Sequence, residues 1–258
     1  MLNRNSTYYT HYHFVLQNRH RNDNLEQQAQ ALFKSWFVDF EPFKDGKFVE
    51  SELGMIPKGW RIQAAEDVYR INIGKTPPRK EPHWFSAAEI DNVKWISISD
   101  MGSCGMFINS SSEYLTPQAV KQFNIIVVPK GAVLLSFKLT VGRVSIARDN
   151  LTTNEAIARF YMPHEYYREF TYFVLKNYDY GKLGSTSSIA TAVNSKIIKN
   201  MPLLIPTNDS IQKYHAITEA LFNQISRNTD ETERLCNLRD SLLPKLMSGE
   251  LKINDLHS

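Results

Sequence analysis

The chain has 258 residues, 42% of them hydrophobic and 22% charged, with a formal net charge of +3. That composition supports a core of ordinary size and gives only a weak pull towards anionic partners. The 2 cysteines, Cys104 and Cys236, are too far apart in sequence for a ligand cluster and fit a reducing compartment. No apolar run approaches the roughly 18 residues of a membrane helix, and Phe14-Val15-Leu16 is too short for a signal-peptide core, so a cytoplasmic location with no membrane partner is expected.

Residues 1–22 are rich in Asn, His, Tyr and Arg without period and read as a disordered leader. His11 and His13 have no Cys or carboxylate near them in sequence, so no metal site is expected there. Asp23 or Asn24 can cap a helix over 23–42, whose face is Leu25, Ala29, Leu32 and Trp36, widened by Phe33, Phe37 and Phe40. These aromatics exceed what a solvent-facing helix needs, so the helix is expected to dock on its own domain, to pair with the tail, or both, and Pro42 to end it. Residues 43–206 read as one globular α+β domain with many short strands and no βαβ alternation. Strands are expected at Val93–Ser99, Asn124–Val128, Val133–Phe137, Val141–Ala147 and Met201–Ile205, with a helix at Glu165–Lys176.

Residues 207–258 read as a long helix and tail. Ile211, Tyr214, Ile217, Leu221, Ile225, Leu235, Leu238, Leu242 and Leu246 draw a stripe at helical spacing. A helix from Asn208 to Ser248 reaches roughly 55–60 Å and requires a second helix to cover its stripe. Asn228 and Thr232 interrupt that stripe: they either fix register in a buried seam or mark an exposed stretch or break. Pro244 is expected to kink or end the helix, and Gly249 to cap it.

Catalytic signals are wanting. Gly74-Lys75-Thr76 ends like a phosphate-binding loop, but Tyr69 stands where that motif needs glycine. Thr76-Pro77-Pro78-Arg79 shares only Pro-Pro with the catalytic loop of amino-methyltransferases. The Gly184–Ser188 run has no histidine nearby to activate a nucleophile. No cofactor and no metal site is expected, and no enzymatic role. Three basic, hydroxyl-bearing loops remain, Gly74–Lys80, Ser136–Arg143, and Gly184–Ser188 followed by Asn194, Lys196 and Lys199, able to meet phosphates and base edges, although a solvated charge is the commoner fate of any one residue. They nominate Lys75, Arg79, Lys80, Lys138, Arg143, Ser187, Lys196 and Lys199 for DNA contact.

Ala31–Phe43 (ALFKSWFVDFEPF) resembles the central spacer of type I restriction–modification specificity subunits, and Leu238–Leu251 (LRDSLLPKLMSGEL) their distal spacer. Between them, Gly59-Trp60, Trp95-Ile96-Ser97, Leu134–Arg143 and Thr153-Asn154-Glu155-Ala156-Ile157 resemble a target recognition domain. The resemblance covers roughly residues 25–251. It implies a non-catalytic subunit that directs modification (methyltransferase) and restriction (translocase) subunits to double-stranded DNA, here in the form of the C-terminal half of such a subunit. Full-length members carry two recognition domains separated by two long antiparallel helices. A first helix of only about 25 Å would leave much of the tail's stripe bare, and a homodimer reading a palindromic bipartite site would cover it. Trp36, Phe37, Leu221, Leu235, Leu238 and Leu242 are the residues expected at that interface. The competing expectation is a remnant or recombination cassette that pairs helices but needs another half to recognise DNA.

Overall fold

A computed structural model describes residues 4–183 and 193–248. In chain order its main elements are α1 (Arg4–Phe37), β1 (Phe48–Ser51), β2 (Gly54–Pro57), β3 (Arg61–Ala64), α2 (Ala65–Val68), β4 (Arg70–Ile73), β5 (Phe85–Ser86) and β6 (Val93–Ile96). There follow α3 (Ile98–Ser103), β7 (Phe107–Ile108), β8 (Glu113–Leu115), α4 (Pro117–Gln122), β9 (Val133–Ser136), β10 (Val144–Ala147), β11 (Thr152–Thr153) and β12 (Ile157–Tyr161). The chain continues through α5 (Arg168–Lys176), α6 (Ser195–Lys199), β13 (Pro202–Ile205) and α7 (Asn208–Ser248). The expected α+β class with flanking helices is found. Two compact units divide the chain, 1–29 with 220–258, and 30–219.

In the first unit, α1 and α7 pair antiparallel through a polar seam. Asn18 Nδ2 donates to Glu231 Oε2 at 3.1 Å and Thr232 Oγ1 at 3.3 Å, and Asn22 Nδ2 donates to Thr229 Oγ1 at 3.3 Å. Asn228 Nδ2 donates to Asn22 Oδ1 at 2.8 Å. Asn18 is fully buried and Asn228 nearly so. Asn228 and Thr232 therefore sit in the seam and fix its register, since a one-turn slip would strand buried amides. The leader expected to be disordered is instead helical from Arg4, in a 34-residue α1. Its sequence has weak helical preference, and the tertiary pairing supplies what propensity lacks. At about 51 Å, α1 is twice the length inferred from its apolar face, so the tail finds its partner helix within the chain.

The buried side of α7 is Ile211, Tyr214, Thr218, Phe222, Ile225 and Asn228. Ile217, expected on the stripe, is exposed, and Leu221 is half-buried. Between Tyr214 and Ile225 the buried positions are Thr218 and Phe222, each one residue beyond the expected Ile217 and Leu221, and Thr218 satisfies its buried hydroxyl by donating to the Tyr214 carbonyl at 2.9 Å. Pro244 lies within α7, which continues to Ser248; Gly249 lies outside the described residues.

In the second unit, α1 stops at Phe37, five residues before Pro42, where the Val38 and Asp39 amides both reach the Lys34 carbonyl. Phe37 is 6% exposed. Its ring meets Phe170 and Tyr214 at 4.9 Å each and Trp60 at 5.7 Å. Phe33 lies 5.7 Å from Phe173, and Trp36 lies 5.9 Å from Phe43 and 6.0 Å from Tyr214. The aromatic run of α1 thus docks on its own domain, and Phe37, expected at a subunit interface, is core.

A five-stranded sheet in the order β4-β12-β9-β10-β7 faces a four-stranded sheet ordered β11-β6-β8-β5. Ile96, Met101, Ile108, Leu134, Ala147, Leu151 and Ile157 form the core shared by these strands and α3. Trp84, Trp95, Leu115, Ala119 and Ile125 form a second core under α4. The strand expected over 93–99 ends at Ile96. There Ser97 caps α3 in a reciprocal box with Asp100: the Asp100 amide reaches Ser97 Oγ at 3.2 Å, and the Ser97 amide reaches Asp100 Oδ2 at 2.8 Å. The run 124–128 keeps only the Val128–Leu151 bridge, with Ile126 and Val127 exposed. The buried Arg159 guanidinium occupies that region instead, donating to the carbonyls of Ile126, at 2.8 Å, and Ile73.

Phe37→Ala is expected to destabilise the isolated chain by about 3–5 kcal/mol, read by urea unfolding. Leu238→Ala, on a side chain 53% exposed, is expected to change it by less than about 0.5 kcal/mol. Equal effects would contradict the assignment of Phe37 to the core.

Candidate nucleic-acid interface

Two of the three basic loops converge on one turn, Thr153–Ala156. The chain leaves β4 at Gly74, whose amide donates to the Ile157 carbonyl at 3.1 Å, and the next amide, of Lys75, donates to Thr153 O at 2.9 Å. A Cβ on Gly74 would lie 1.9 Å from the Asn154 carbonyl oxygen and 2.3 Å from that of Thr153. The glycine therefore permits a backbone junction between the two sheets, and phosphate binding is not what requires it. Thr76 Oγ1 bonds Glu155. From the other side, the Phe137 amide donates to Ala156 O at 2.9 Å, the Asn154 amide to Ile96 O at 3.0 Å, and the Ala156 amide to Asn154 Oδ1 at 3.1 Å.

The nominated cations divide by what they touch. Arg79 makes a two-pronged bond to Glu113, 2.8 Å on each prong, with its guanidinium carbon 4.2 Å from the Phe85 ring centre and 4.6 Å from that of Trp95. The Glu113 hydrogen bonds raise the Arg79 pKa above its usual value. Lys75 Nζ donates to the carbonyls of Phe123 at 3.1 Å and Asn124 at 3.3 Å. Arg143 Nη1 donates to Ile98 O at 2.6 Å. These three fasten loops. Lys80, Lys138 and Lys196 are exposed, and Lys199 is half-buried on α6, which is capped by Asn194 and packs on α2. Ser187 lies outside the described residues.

Sequence reasoning missed the platform under Arg79, formed by Glu113, Phe85 and Trp95. Trp95 Nε1 donates to the Lys75 carbonyl at 3.1 Å, which joins the platform to the glycine junction. The only available signal was alternation in 93–96, which placed Trp95 on a strand without saying what would cover it. Of the nominated interface residues, Trp36, Leu221, Leu235 and Leu242 are half-buried and Leu238 is exposed. Among the described residues, no group of three or more His, Cys, Asp or Glu is placed to hold a metal ion, and no helix is long and apolar enough to cross a membrane.

The family model described as the type I restriction modification DNA specificity domain matches residues 57–235. The chain is 29% identical over 262 residues to the type I restriction enzyme MjaIX specificity subunit of Methanocaldococcus jannaschii, covering 97% of this chain and 59% of that protein. It is 26% identical over 291 residues to the HindI specificity subunit of Haemophilus influenzae, covering 89% of this chain and 62% of that one. The crystal structure of a type I restriction–modification system S subunit from M. genitalium shares the fold, with a TM-score of 0.53 at 11% identity over 92% of this chain and 56% of that one. The chain thus spans about three-fifths of the length of the curated relatives it matches.

Gly74→Ala is expected to lower stability by at least about 3 kcal/mol or to prevent folding, because the clash is with backbone oxygens. Gly105→Ala, where a Cβ meets nothing within 4 Å, is the control and should stay within about 0.5 kcal/mol of wild type. Thermal unfolding of both variants reads the difference, and a benign Gly74→Ala would contradict the junction.

Proposed function

The chain belongs to the type I restriction modification DNA specificity domain family, and on that premise we propose that it is a DNA-recognition half-subunit without catalysis of its own. Residues 43–206 read the DNA. The helices couple that reading to a modification (methyltransferase) subunit and a restriction (translocase) subunit. The observation that carries the proposal is the convergence of two basic loops on the 153–156 turn, inside the segment the family model covers. Loops fastened to a rigid scaffold hold polar and cationic groups at fixed spacing, which direct readout of base edges requires.

The loop fasteners Lys75, Arg79 and Arg143 set the shape of that surface, while Lys80, Lys138, Lys196 and Lys199 supply phosphate attraction. A bipartite target needs two reading domains, and a second copy of this chain supplies the other one. The exposed leucines Leu238 and Leu243 on α7, with Leu235 and Leu242 half-buried beside them, support that contact. A two-fold dimer would read an inverted repeat.

Equilibrium binding of the purified chain to duplex DNA over a salt series tests the reading. Lys138→Ala and Lys199→Ala should each weaken binding to every duplex and reduce the slope of log K against log salt by about 1. An unchanged slope removes that lysine from the interface, and salt-independent or absent binding by the wild-type chain contradicts the proposal. Light scattering should give a dimer that Leu238→Asp converts to monomer.

A further inference from the structure

The loop joining β9 to β10 presents a leucine where none is needed for folding. Leu139 is 99% exposed, the barest of the large apolar side chains described. Its φ is 59°, in the left-handed region that Gly, Asn and Asp enter most readily. The Thr140 amide donates to the Lys138 carbonyl at 2.7 Å across it, closing a three-residue turn of the rare, strained hand. Water would be met better by Asn or Gly at such a position.

The surrounding bonds hold that strain in place. Buried Ser136 grips both limbs of the loop: its Oγ donates to Thr140 O at 2.6 Å and accepts from the Arg143 amide at 3.0 Å. The Gly142 amide donates to Ser136 O at 3.0 Å. Phe137 is buried at the root of the loop, its amide tied to the 153–156 turn. Gly142, at φ 93°, lies so close to the Tyr180 ring that a Cβ would be 3.2 Å from it. A rigid loop root thus offers a bare apolar tip between exposed Lys138 and exposed Thr140.

The geometry points to Leu139 as a wedge that enters the DNA stack at a base step while Lys138 holds the adjacent phosphate. This rests on the DNA-recognition reading above. An isolated apolar side chain beside a cation and a hydroxyl suits a partially unstacked step, whose opened base faces are apolar and whose rim is charged. A protein partner would call for a broader apolar patch than one side chain. The wedge would make a flexible pyrimidine–purine step part of the preferred site, so Leu139 contributes to specificity without a hydrogen bond.

The test begins by enriching duplexes from a randomised library with the purified 258-residue chain. The enriched duplex is then scanned with 2-aminopurine at successive positions. Binding should raise fluorescence at one step only. Leu139→Gly and Leu139→Asn accept the left-handed backbone, so both should keep or raise the thermal midpoint while abolishing the fluorescence rise. Each should weaken binding to the enriched duplex by about tenfold and leave non-specific binding and its salt slope unchanged; Leu139→Met should keep the signal. A chain that binds the enriched duplex with no fluorescence rise at any step overturns the wedge alone. So do Gly and Asn variants that bind it like wild type, which would leave the tip to a protein partner. Failure to enrich any duplex would remove the recognition reading, and the wedge with it.

Discussion

At Gly74 the backbone of one sheet passes so close to the Thr153–Asn154 edge of the other that no side chain fits between them. The surface proposed to read DNA depends on that approach. It sets the position of Lys75, whose carbonyl receives the Trp95 indole, and Trp95 with Phe85 supports Arg79. The same turn, through Ala156, receives the root of the β9–β10 loop. Two loops far apart in sequence are therefore referred to a single backbone junction. Side chains at their tips can vary without disturbing it, as recognition of different targets on one scaffold requires.

The helical pair obeys a different constraint. Apolar stripes alone leave register loosely specified, because one turn of slip exchanges one leucine for another. Asn18, Asn22, Asn228, Thr229 and Thr232 remove that freedom: the Nδ2 groups of the three asparagines find their acceptors in one alignment. The desolvation of Asn18 and Asn228 is a cost in stability that returns as geometry. In a protein whose proposed task is to hold reading domains at a defined separation, alignment matters more than raw stability.

The sequence revealed some of this and concealed the rest for identifiable reasons. Helical spacing over 211–225 announced α7, and the two spacer motifs announced the family. The N-terminal half of α1 was illegible because its stability is tertiary: Asn18 and Asn22 look like loop residues until Asn228 and Thr229 are set opposite them. Ile217 and Thr218 exchanged roles, since hydrophobicity ranks them one way and backbone bonding of the threonine hydroxyl the other. The aromatic excess of α1 fits docking on its own domain as well as a contact with another helix, and the sequence cannot apportion Phe37 between them because two of its partners, Phe170 and Tyr214, lie more than a hundred residues away. Among the nominated cations, charge could be read but engagement could not. Nothing local to Arg79 marks Glu113 as its partner.

Long-read methylation mapping after co-expression with a modification subunit from the same source tests the central claim most directly. A dimeric recognition half-subunit predicts a new methylated motif of half-site, spacer and inverted half-site. Soluble protein with no new motif would contradict that account and leave the chain as a helix-pairing piece awaiting another reading half.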